Sequence, residues 1–121
     1  MSIDTDRAEV ELSMKNARKT RDLALSLERL RSNRDFKALI LDGYFREEAI
    51  RLVHLRSDPA YQGPEKQALL LLDIDAVANL ASYFRTVDAL GETARKALKD
   101  GEETLEHLAQ DELAEGSEVT Q

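Results

Sequence analysis

The chain has 121 residues, of which 34% are charged and 42% hydrophobic, with five glycines, two prolines and a net charge of −7. That length allows one domain-sized core, and the composition favours helix over strand. There is no cysteine, which excludes disulfides and thiolate chemistry and fits an intracellular-type protein. The acidic N-terminus MSIDTDRAEVE is unlike a secretory signal, and no apolar run nears the roughly 20 residues that span a bilayer.

Asp4 or Thr5 is a plausible N-cap for the first helix. From about Asp6 to Leu30, the residues Val10, Met14, Ala17, Ala24, Leu27 and Leu30 recur at near three-and-four spacing. Arg21 interrupts this stripe. The apolar face is thin at first and thickens towards Leu30, which predicts a helix packed along part of its length. Ser32 or Asn33 then breaks the helix and caps the next.

The stretch Asn33 to Leu55 gathers aromatics and branched aliphatics around one Asp-Gly pair. Two short helices are expected there, about Asp35–Leu41 and Tyr44–Arg56, joined at Asp42-Gly43, where glycine would accept a left-handed turn. Isolated helices this short are marginal in water. Their apolar residues cover more than one face, so the segments are expected to be buried as a hub.

Ser57 to Pro64 reads as a loop. Pro59 disfavours helix at Asp58, and Pro64 suits the first turn of the next helix. From Pro64 a long helix is expected to about Lys99. Val77, Leu80, Phe84, Val87, Gly91, Ala94 and Leu98 alternate by three and four, the seam of a helix packed lengthwise on another. Leu69, Leu71, Leu72 and Ile74 widen that face upstream, towards the central segments. Asp100-Gly101 is expected to end or bend the helix, although Leu105 and Leu108 keep its phase to about Ala114.

The fold expected is therefore all-α: a long N-terminal helix, two short central helices and one long C-terminal helix. They pack as an elongated helical bundle or hairpin. Residues 1–114 form a single helical domain, and 115–121 a disordered tail.

Charge is unevenly placed. Between Lys15 and Lys37 eight cations outnumber three carboxylates, while no Lys or Arg follows Lys99. Lys15, Arg18 and Arg21 could share a face with Arg29 and track phosphates. Mutual attraction of the two oppositely charged ends, within a chain or between subunits, is the preferred reading. Neither a Gly-rich nor an aromatic-basic motif accompanies the cations.

Residues suited to chemistry fall into ordinary structural roles. His54 and His107 lack metal-ligand spacing, and His54 sits in the core-like IRLVHL. Asp73 and Asp75 are two apart on a helix and so diverge. Glu47-Glu48 suits a helix start. The serines include no nucleophile elbow, and no Gly-rich loop could cradle a phosphate. Neither an enzyme nor a cofactor or metal is expected.

Asn33 to Lys37, Ile40 to Phe45, Glu48 to Leu55 and Asp58-Pro59, with looser matches at Asp73 to Ala76 and Ser82 to Thr86, resemble a group of small helical proteins. These are encoded among the structural and morphogenesis genes of tailed bacteriophages. The resemblance spans about the middle half of the chain and concerns core and turn residues. It implies a non-enzymatic virion component or assembly factor, located in the virion or host cytoplasm. Such a protein would act by self-association or by binding capsid, portal or connector. The alternative is a phage-encoded regulator that binds a host protein through the acidic C-terminal segment. On either reading the partners are proteins, not nucleic acid, membrane or a small molecule. The residues expected to carry interaction are Arg18, Arg21, Arg29, Val77, Phe84, Val87, Leu98, Leu105 and Leu108.

Overall fold

A computed structural model of the chain describes residues 2–119, the side chains of 117–119 excepted. The described residues are helical almost throughout and contain no strand. Helix α1 spans Ile3–Arg31, α2 Arg34–Phe36, a π-helical segment Lys37–Glu48, α3 Ala49–Ser57, a 3-10 turn Pro59–Tyr61, and α4 Pro64–Val119. The long N-terminal and C-terminal helices pack together, as their apolar stripes predict.

Capping explains the boundaries. The hydroxyl of Ser2 accepts from the Thr5 N–H at 3.2 Å, so the cap lies ahead of the expected Asp4 or Thr5. Asn33 holds an extended backbone, and its Oδ1 accepts from Phe36 N–H at 2.9 Å. This satisfies one of the donors that every helix start leaves open. Asp58 does the same for the 3-10 turn, accepting from Ala60 N–H at 2.8 Å. Its extended backbone is the conformation that Pro59 imposes on its predecessor. Pro64 opens α4, as expected.

At Gly43 the expectation is overturned. Among the described residues none has a positive φ, and the chain passes through Asp42-Gly43 as helix without a turn. The two central helices are thus consecutive parts of one helical run, joined by twelve π-helical residues. In the π pattern, each amide bonds the carbonyl five residues back. A Cβ on Gly43 would lie 2.8 Å from the carbonyl oxygen of Ala38, its i−5 neighbour. Glycine is needed there for space along the helix, not for a left-handed backbone.

At Gly101 the helix also continues unbroken. A Cβ there would meet Met14 Cγ at 2.6 Å, and one on Gly91 would overlap Ala24 Cβ. Both glycines therefore let α1 and α4 approach closely. Residues 115–119 continue α4 where a loose tail was expected; the last two residues of that tail lie outside the described residues.

The chain divides into two compact units, Met1–Ala24 with Ala89–Gln121, and Leu25–Asp88. In the first, α1 and α4 form an antiparallel pair around Met14, Ala24, Ala94 and Leu98, all buried. Val10, Ala17, Leu105 and Leu108 are half-buried along the same seam.

The second unit has a core of Leu52, Leu70 and Val77, ringed by Tyr44, Phe45, Ala49, Leu55, Tyr61 and Ile74. Leu52 is 1% exposed, and burying it contributes about 1.5–3 kcal/mol. Phe84 stands between Phe36 and Phe45, with ring centroids at 6.0 and 5.5 Å. The Asn33 to Leu55 hub is therefore real, but much of it is only half-buried.

Candidate interaction surface

The heptad spacing of α4 places Leu70, Val77, Val87, Ala94 and Leu98 inside the chain's own packing. Phe84, Leu105 and Leu108 are half-buried on the same seam. Hence Val77, Phe84, Val87, Leu98, Leu105 and Leu108, singled out as interaction residues, are engaged within the chain. Of the cations, Arg18 is exposed, Arg21 binds Asp22 through two nitrogens, and Arg29 donates to the Ser26 hydroxyl at 3.0 Å. The structure does not bring these three together with the seam as one site.

A different pair of groups anchors the end of α1 in the second unit. Arg31 reaches Asp88 with both terminal nitrogens, at 3.0 and 2.8 Å. This fork matches the planar carboxylate and is the strong form of a charge-assisted bond. The hydrogen bond from Arg31, more than the nearby charge, holds the Asp88 carboxyl below its ordinary range and raises Arg31 in turn. Both side chains are more than a third exposed, so the pair is worth at most about 1 kcal/mol.

In the first unit Arg7 pairs with Glu112, and in the second Arg51 pairs with Glu48. The latter bond lowers the Glu48 pKa and raises that of Arg51.

Of the two arrangements expected for the oppositely charged ends, attraction within a chain or between subunits, the first is little developed in the first unit. Met14 lies against Gly101 and Ala24 against Gly91. This antiparallel register brings Arg18 and Lys19 level with Arg95, Lys96 and Lys99. Asp4, Glu9 and Glu11 come level with the acidic end of α4. Arg7–Glu112 is the exception, a cation within the acidic end. The basic part of α1 is thus out of step with the acidic segment in the same chain, because the apolar seam sets the register.

His54 and His107 are exposed. Among the described residues no group of three His, Cys, Asp or Glu side chains is placed to hold a metal ion. A shallow cavity of about 230 Å³ beside α3 is lined by Arg51, Leu55, Tyr61, Lys66, Leu69 and Asp73.

The most unusual surface is aliphatic and lies in the second unit. Leu39 is 70% exposed, Leu69 61%, Leu72 64% and Tyr83 54%, while Ile50 and Val53 are about half exposed. Single exposed leucines are ordinary; several on neighbouring turns of well-packed helices are not. Leu69, Leu71 and Leu72 were expected to meet the central segments; Leu70 and Ile74 turn into that core and Leu69 lines the cavity beside α3, while Leu71 and Leu72 stay exposed. The reason is geometric: consecutive helical residues point about 100° apart, so four leucines in a row cannot share one face.

By length and composition, one 18-residue window within Pro64–Gly116 is apolar enough to cross a membrane, and 11% of it is buried. The most apolar part of α4 reaches this limit despite containing Asp73 and Asp75. No protein family, curated protein or solved structure matches the chain.

Proposed function

We propose that this protein is a non-enzymatic assembly factor that works by association, either with further copies of itself or with a larger structural protein. The observation that carries this reading is the exposed aliphatic surface of the second unit, with Leu69, Leu72 and Tyr83 more than half exposed on one helix. Water-exposed leucine and tyrosine are stabilised by burial, at roughly 25 cal/mol per Å² of apolar area covered. The helices that present them are held by their own core and by the Arg31–Asp88 fork. A partner would therefore meet a preorganised surface and pay little ordering entropy.

The resemblance of the central block to small phage proteins supplies the setting. In it the partner is a capsid, portal or connector subunit, and the place of action is the virion or host cytoplasm. The test is light scattering and chemical cross-linking of the protein alone, then with purified capsid, portal and connector. Oligomers or a stoichiometric complex are expected. A strict monomer that binds none of these proteins removes the reading.

A second reading is favoured by the acidic end of the first unit, where α4 carries seven carboxylates and no Lys or Arg between Asp100 and Glu115. There the protein acts as a regulator that occupies a basic surface of a host protein. Such binding weakens steeply with salt, and replacing Leu72 by Glu leaves it unchanged.

A further inference from the structure

In the π-helical segment, local preference and observed geometry disagree. Lys37–Glu48 reads KALILDGYFREE, and outside Asp42-Gly43 most of these residues favour the α form. A π-helix is rare and occurs mostly as a single turn. Twelve residues of it must therefore be held by contacts made elsewhere in the fold, because the local sequence works against them.

The aromatic contacts identify what holds them. Phe36 and Phe45 both lie on the Phe84 ring of α4, with centroids at 6.0 and 5.5 Å. They are nine residues apart. A helix closed five residues back takes about 4.4 residues per turn, so nine residues make about two turns and return to one face. In the α form the same nine residues make about two and a half turns. Phe36 and Phe45 would then point to opposite faces, and one ring on a neighbouring helix could not meet both. The other ties of this segment do not need the π form. Arg31 binds Asp88 before the segment begins, and beyond Phe84 the Phe45 ring packs on the core of Leu52, Leu70 and Val77.

We propose that Phe84 is the latch of a two-state helix, with Phe36 as the part that moves. With Phe36 on Phe84, the segment is π-helical and compact. With Phe36 released, it takes the α form, and Phe36 turns about half a revolution off α4. The segment then lengthens by roughly 4 Å, because an α-helix rises 1.5 Å per residue and the wider π-helix rises less. Asn33, whose backbone is extended between α1 and α2, takes up the change. Gly43 serves the latched form, since a Cβ there would press on the Ala38 oxygen. The fold thus holds an aromatic side chain on α4 or presents it beside the end of α1. This device does not depend on the association reading.

The chain contains no cysteine, so a pair of spin labels can report the length of the segment. Labels on Arg34→Cys and Glu47→Cys, both at exposed positions, are attached to the full-length protein. Thirteen residues apart, they share a face in the π form and lie on nearly opposite faces in the α form. Dipolar distance measurement is expected to give one short separation. Adding Phe36→Ala removes the moving ring and leaves Phe84 and the core in place. The separation is then expected to grow by at least about 4 Å, with helical content unchanged by circular dichroism. Phe84→Ala should give the same shift. Tyr83→Ala removes an exposed ring that touches Phe84 and should leave the separation as it was.

An unshifted separation in Phe36→Ala overturns the latch, even if Phe84→Ala fails to fold. Equal lengthening in Tyr83→Ala would mean general loosening, and the latch would fall with it. A long separation in the wild-type chain would remove the π form as the latched state.

Discussion

Asp88 shows how much a single contact contributes. Its carboxylate accepts both arms of the Arg31 fork, and its pKa is held below that of a free aspartate. A depressed carboxyl contributes stability that is complete above its unfolded pKa and is lost as pH falls through the folded value. Arg31, with its raised pKa, stays charged throughout this acid range. Asp88→Asn is therefore expected to lower stability at pH 7 by up to about 1 kcal/mol, the ceiling for so exposed a pair. The difference from wild type should shrink once pH drops below the ordinary aspartate range. Thermal melts across that range check both statements; equal differences at neutral and strongly acid pH would refute them.

Among the elements, the π-helical segment contradicts ordinary helix chemistry most sharply. In a regular exposed helix, Gly→Ala gains roughly 0.5–1 kcal/mol. At Gly43 the added methyl would lie 2.8 Å from the backbone oxygen of Ala38. The sign should reverse, with Gly43→Ala losing about 1 kcal/mol or forcing the segment towards α geometry. Denaturant titration checks it, and a gain in stability would remove the π segment as the native form.

These elements also show what could be read in the residues beforehand. The long α4 was legible because Val77 to Leu98 obey one period, and the break at Asn33 because a capping side chain sits before an aromatic. Asp42-Gly43 misled because a glycine after aspartate looks the same whether it serves a turn or a tight helical carbonyl. Gly101 leaves both an end and a continuation open for a related reason: what it packs on is Met14, 87 positions away in sequence. The exposure of Leu72 and Tyr83 was not legible in the residues. Both adjoin the apolar seam in sequence, and spacing alone cannot say how far round a helix a fold covers it.

Across the molecule, the net charge of −7 is not spread evenly. In the first unit the antiparallel register brings carboxylates on α1 level with carboxylates on α4. Glu102 and Glu103 lie four and three residues before Glu106 on one helix, and all three are exposed; like charges at such spacing destabilise by a few tenths of a kcal/mol per pair. Replacing all three with Gln is expected to stabilise the protein by roughly 0.5–1 kcal/mol at low salt. The gain should disappear near 1 M salt, where screening acts within about 3 Å. Melting curves at two ionic strengths test it, and a salt-independent gain would point to helix propensity instead.

The connection between α3 and α4 has a consequence for cleavage. Gln62 and Gln67 donate to the carbonyl oxygen of Arg56, at 2.9 and 3.2 Å. Gln67 also donates to that of Tyr61. A trypsin-like protease would have to swing the Arg56 carbonyl into its own oxyanion pocket. Two amide side chains already hold that oxygen, and Pro59 stiffens the chain just beyond. What reads as a basic, loop-flanked cutting point is therefore expected to be cut more slowly than the same residues in an ordinary linker, which limited trypsin digestion checks.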